Sequence, residues 1–145
     1  MEKDNLTQNN KEIVKLFLET VRSGRVLENV SYYLSDVVVA HQMNSENQSE
    51  VKRTPQDYKE HVQEFLEMFG KFSFEITALI AEEDKVYARW IQKGKHLAVI
   101  EGFKPTGAEL TEIASAVYRL ENSKIVEYWI QIDRLGFEKQ LQRNS

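Results

Sequence analysis

Cysteine is missing from this chain, which removes disulfides, thiolate zinc sites and cysteine nucleophiles together. The six glycines are scattered, and none belongs to a phosphate-binding loop. No apolar run approaches the roughly 20 residues of a membrane-spanning helix. The N-terminus, Met-Glu-Lys-Asp-Asn-Leu-Thr-Gln-Asn-Asn, has no signal-peptide core, so the cytoplasm is the expected location. Basic charge is not in surplus either. With 23 Asp and Glu against 19 Lys and Arg the net charge is −4, which argues against nucleic acid as a partner. The three histidines lack H-x-H and H-E-x-x-H spacing; a metal site would need long-range assembly, and none is predicted. Ser115 and Ser123 have no nucleophile-elbow context.

What is present suits one ordinary domain, 1–145, with a real core and an N-terminal stretch, 1–9, expected to be disordered. Residues 11–23 place Ile13, Leu16, Phe17 and Val21 on one helical face and turn Arg22 away from it, and Gly24 closes the helix. Residues 26–34 read as a second, shorter helix. A strand over 36–43 follows, then a polar loop to Arg53. Thr54-Pro55-Gln56-Asp57 opens a third helix with an N-cap, a proline at the first position and an acid in the first turn; Gly70 ends it. Long strands are predicted at about 72–82, 85–96, 108–121 and 124–133, with a short helix over 135–142. Helices ahead of a run of antiparallel strands mean an α+β fold, one curved sheet wrapped over a small helical layer.

The last hairpin carries the chemistry. Its second arm puts Val126, Tyr128, Ile130 and Ile132 on one face and Glu127, Trp129, Gln131 and Asp133 on the other. A two-residue turn at Asn122-Ser123 sets Glu121 opposite Lys124. In a regular hairpin Tyr118 then faces Glu127, Ala116 faces Trp129, Ala114 faces Gln131 and Glu112 faces Asp133. Two adjacent carboxyls cannot both ionise cheaply, which suits acid–base work. One bulge would move Glu112 to the opposite face. Plainer readings stand beside these. Asp133 also suits a helix cap, Trp129 a core position, Glu127 a structural role and His61 the surface. His41 fits a core residue or a pocket acid/base equally, His96 ends a strand at a pocket mouth, and Arg89 either meets a substrate acid or pairs with a structural Glu.

Gly94-Lys95-His96, Gly102 and Pro105-Thr106-Gly107 match the G-x-H…G-x-x-P-T-G signature of SnoaL-like polyketide cyclases at the same spacing. Tyr118-Arg119, residues 124–127, Trp129, Asp133, Leu135-Gly136 and Gln140-Leu141 resemble the closing motif of that family, and residues 39–42 resemble its first-strand histidine. The frequent glycine after G-x-H-x is Ala98 here, and the frequent histidine before the tryptophan is Tyr128. The resemblance implies a cone-shaped fold of the nuclear transport factor 2-like, cystatin-like type, which hosts isomerases, dehydratases, epoxide hydrolases and non-catalytic binding proteins.

Two functions are therefore carried forward. One is a cofactor-independent enzyme of the cyclase or isomerase type acting on an apolar, carbonyl-bearing small molecule in a central pocket. By resemblance, Asp133 takes the proton while His41 or His96 polarises the oxygen; Trp129, Gln131, Tyr118, Glu112 and Arg89 are the candidate substrate contacts. The other is a non-catalytic small-molecule-binding protein on the same scaffold. If Trp129 and Asp133 face the pocket, Val126, Tyr128, Ile130 and Ile132, with Ile113, Ser115 and Val117, form an outer apolar patch that a homodimer would cover.

Overall fold

Long strands rich in β-branched and aromatic residues form a single sheet, and its apolar face is closed by helices. The computed structural model describes residues 2–145, with side chains from Asn5 onward. Helix α1 spans Glu2–Phe17 and ends in a π-helical turn, Leu18–Arg22. A 3₁₀ turn, Leu27–Asn29, leads into the single-turn α2, Val30–Tyr33. Strands β1 (Leu34–Gln42) and β2 (Ser49–Arg53) precede α3 (Pro55–Phe69). Then come β3 (Ser73–Glu82), β4 (Lys85–Lys95), β5 (Glu109–Glu121), β6 (Lys124–Ile132) and α4 (Arg134–Asn144). The order across the sheet is β2-β1-β6-β5-β4-β3. No helix among the described residues is long and apolar enough to cross a membrane.

The core lies between the helices and one sheet face. Val14, Phe17, Leu18, Val21, Tyr58 and Val62 meet Val38, Ala40, Val86, Ala88, Trp90, Ala114, Ala116, Tyr118 and Tyr128. Phe17, fully buried among the rings of Tyr33, Tyr58 and Tyr118, contributes on the order of 2–3 kcal/mol by burial. Helix α3 starts as its sequence predicts. The Thr54 side chain accepts from Asp57 N, and the Asp57 carboxylate accepts from Thr54 N.

Several expectations need correction. The sheet is mixed rather than antiparallel, because β1 pairs parallel with β6. The stretch expected as a polar loop after residue 43 holds β2, an exposed edge strand whose partner pattern only the sheet reveals. The helix predicted over 26–34 shrinks to two short turns before Leu34 enters β1. The helical path begins at Glu2, through the segment expected to be disordered; Asn9 Nδ2 donates to Ser123 Oγ at 3.3 Å, which ties this turn to the last hairpin. Along α1 the buried stripe is Val14, Phe17, Leu18 and Val21, while Leu16 is exposed.

The most consequential correction is in the hairpin. Asn122 and Ser123 form the predicted two-residue turn, both with positive φ, and Glu121 does face Lys124. The register then shifts, with Leu120 paired to Ile125 and Arg119 to Glu127, leaving Val126 as the extra residue of a bulge. Beyond it Tyr118 faces Tyr128, Ala116 faces Ile130 and Val117 faces Trp129. The faces are thereby exchanged. Tyr128 is buried, Ile130 and Ile132 pack on the core, and Trp129 and Gln131 look outward. Glu112 shares the inner face with buried Ala114 and Ala116, so it has no partner in Asp133.

Candidate functional site

The charged group deepest in the cone is Arg22, which the π-helical turn delivers. A π turn advances each residue by a smaller angle than an α turn, so a position at the flank of the α1 stripe rotates into its centre. Arg22 is 4% exposed. Its Nη1 donates to Gln92 Oε1 at 2.9 Å, and its Nη2 lies 3.4 Å from Glu112 Oε1, a long ion pair. Phe65 stacks on the guanidinium at 4.5 Å, with Phe74 and Trp90 at 5.6 and 5.7 Å. Such desolvated cation–π contacts are worth up to about 2 kcal/mol and help a buried cation persist. Gln92 and Glu112 are cross-strand partners on β4 and β5, so the sheet fixes their spacing. Burial raises the Glu112 carboxyl above its ordinary value, and the Arg22 charge only partly offsets this. The Glu112 side chain keeps 13% of its surface accessible, so it is not sealed. Trp90 Nε1, in the same aromatic wall, is buried without a hydrogen-bond partner.

A cleft of about 420 Å³ opens between β2 and α3, lined by Arg53, Asp57, Glu60, His61 and Glu64 among others. The His61 ring packs edge-on against Phe65 at 4.5 Å, and Phe65 in turn covers Arg22. Burial first, then the charges of Arg53 and Arg22, push the His61 imidazole down to about 4. It therefore stays neutral at neutral pH.

The outer face holds a second group. His41 stacks on Trp129 with ring centroids 5.1 Å apart and planes 3° from parallel. His41 Nε2 lies 2.7 Å from Glu127 Oε2, and Arg119 Nε donates to Glu127 Oε1 at 3.0 Å. Burial would raise the Glu127 carboxyl, but the hydrogen bonds from His41 and Arg119 outweigh it and hold it below the usual range. Trp129 and Gln131 also line a shallow cavity of about 330 Å³ with Met43, Lys85, Tyr87 and Val117.

The structure thus separates residues that the sequence grouped. Asp133 is exposed and caps α4, its Oδ1 accepting from Gly136 N at 3.0 Å. His41, Trp129 and Gln131 lie on the outer face. His96 is 1% exposed, and neither ring nitrogen has a hydrogen-bond partner. Tyr118 is buried between Phe17 and Tyr128. Arg89 is exposed and donates to Thr77 Oγ1 at 3.0 Å rather than to a glutamate. Glu112 alone of the expected residues joins the buried cluster. Arg22, Gln92 and His61 were missed; a single charged residue directly before the closing Ser23-Gly24 of an apolar helix was the one available signal for Arg22.

This architecture, helices closing the concave side of one curved sheet, is shared by solved structures. A candidate polyketide cyclase from Acidithiobacillus ferrooxidans superposes with a TM-score of 0.81 at 27% identity, covering 94% of this chain and 96% of that one. IdmH, a candidate polyketide cyclase from Streptomyces antibioticus, gives 0.76 at 19% identity, with 92% and 98% covered. An M. tuberculosis LEH-like epoxide hydrolase gives 0.70 at 15% identity, with 95% and 92% covered. No curated protein matches the chain by sequence. The family model for SnoaL-like polyketide cyclases matches residues 12–141, and the chain belongs to that family.

Proposed function

We propose that the protein is a cofactor-independent small-molecule enzyme whose general acid–base group is Glu112, acting on an apolar, carbonyl-bearing substrate. The observation that carries this reading is a carboxyl raised by burial beside a buried guanidinium and an aromatic wall. A carboxyl that holds its proton more tightly than usual protonates a carbonyl oxygen or a carbanion closer to neutral pH. Arg22 supplies fixed positive charge toward a developing enolate, and Trp90 Nε1 supplies a donor that a ligand oxygen would satisfy. Phe65, Phe74 and Trp90 limit water, which strengthens each of these interactions.

Proton exchange tests this without knowledge of the natural substrate. Aromatic and aliphatic β-diketones incubated in deuterium oxide should exchange their acidic carbon-bound protons faster with the protein than in buffer, and Glu112→Gln should remove the acceleration. Retained ligand by native mass spectrometry without any exchange would support the non-catalytic binding protein, a reading favoured by the commitment of Asp133 to its helix cap. We also propose a homodimer through the outer sheet face, now lined by Trp129, Val117, Tyr87, Ile91 and the exposed Ile113 rather than by Tyr128, Ile130 and Ile132.

A further inference from the structure

We propose that His41, Glu50 and Glu127 form an open binding site for a divalent transition-metal ion, zinc being the best match, on the outer face of the sheet. This rests on different residues from the acid–base reading and stands or falls separately. Three neighbouring strands, β2, β1 and β6, each supply one ligand. Glu50 is the direct cross-strand partner of His41, and Glu127 lies diagonally from it across the parallel pair. The three ligating atoms lie within 4.8 Å of one another. His41 Nε2 is 2.7 Å from Glu127 Oε2 and 3.8 Å from Glu50 Oε1. Ligand atoms on a tetrahedral zinc with bonds of about 2.0–2.1 Å sit about 3.3 Å apart, and the two separations straddle that value. One imidazole and two carboxylates make a donor set that zinc accepts, with the fourth position left for water or an anion.

The surroundings hold these ligands in place. Trp129 stacks flat on the imidazole and fixes its plane. Arg119 takes the other oxygen of Glu127, so Oε2 is the atom presented to a metal. The same guanidinium withdraws some negative charge, which tempers affinity without blocking the free oxygen. On the Glu50 side a cavity of about 270 Å³, lined also by Gln42, Gln48 and Ser49, leaves the site open to solvent. Backbone pairing pre-sets the three positions, so binding needs side-chain adjustment only.

The test is calorimetric titration of the chelator-treated full chain with zinc chloride. One saturable site per chain at micromolar zinc is expected. His41→Ala and Glu50→Gln should each weaken it at least about 10-fold. Glu50 is exposed on the edge strand, so its variant keeps the fold even if His41→Ala does not. Zinc should also shift the His41 imidazole nitrogen resonances and leave those of His61 in place. No saturable binding would overturn the proposal. So would binding that survives both substitutions, or that is lost in His61→Ala, which would place the ion in the α3 cleft.

Discussion

Glu112 and Asp133 are carboxyls in opposite situations, one withdrawn into the cone against Arg22 and the other exposed and spending an oxygen on Gly136 N. Substitution separates their roles. Asp133→Asn should leave stability and proton-exchange activity nearly unchanged, because asparagine caps about as well as aspartate; Asp133→Ala should cost about 1 kcal/mol in urea denaturation. Glu112→Gln should keep the fold and lose the activity. Activity lost in Asp133→Asn at full stability would return the catalytic role to Asp133. The sequence already named both residues and posed the cap as one use of Asp133, yet it paired them. What hid the true arrangement was Val126, a single unpaired residue that composition and alternation do not mark, and that reverses the faces of everything after it.

At the scale of elements, the motif that reveals the family does structural work. A Cβ on Gly94 would lie 2.7 Å from Phe69 Cβ and 2.8 Å from Phe69 O, so β4 passes the end of α3 at a distance only glycine permits. Beyond it His96 N donates to Ala108 O, and Gly107 N donates to His96 O, closing the loop between β4 and β5 over the buried ring. Gly94→Ala should therefore destabilise by about 1–3 kcal/mol, read from the urea midpoint, since a backbone carbonyl cannot step aside as a side chain can. A midpoint unchanged within error would mean that α3 shifts freely. The motif therefore reports on how the chain folds. The long strands, the α3 cap and the last turn were legible because each rests on local alternation, capping or turn chemistry. Strand β2 and the π turn at Arg22 were not, since both depend on partners distant in the chain.

For the whole molecule, pH and assembly are the accessible handles. The folded His61 ring resists protonation down to about 4, whereas the unfolded chain takes up that proton near 6.5. Stability linked to His61 is thus present above about 6.5 and lost as pH falls toward 4. Because the ring keeps contact with solvent in the cleft, the loss is about 1 kcal/mol rather than the full shift. Glu112 works in the opposite sense, its raised carboxyl adding stability as pH falls through its own range above 4.5. Urea denaturation at pH 7 and pH 5 should show His61→Phe losing less stability on acidification than the wild type; equal losses would remove His61 from the account. Val117→Glu, opposite Trp129 on the outer face, should convert a sedimenting dimer to a folded monomer, whereas Ile130→Glu should unfold the chain from within. A wild-type monomer at micromolar concentration would refute the proposed assembly. The parallel pairing of β1 with β6 also sets an order of events. The third residue from the end of β1, Ala40, finds its neighbour Tyr128 only in β6, the last strand of the sheet to be made. During synthesis β1 can pair with β2 at once, but that hairpin cannot join the other strands until β6 has emerged, after β3, β4 and β5. High contact order of this kind slows folding toward the millisecond-to-second range. A chain truncated before Lys124 would lack the strand that joins the β1–β2 hairpin to the rest of the sheet, leaving two pieces and no fold.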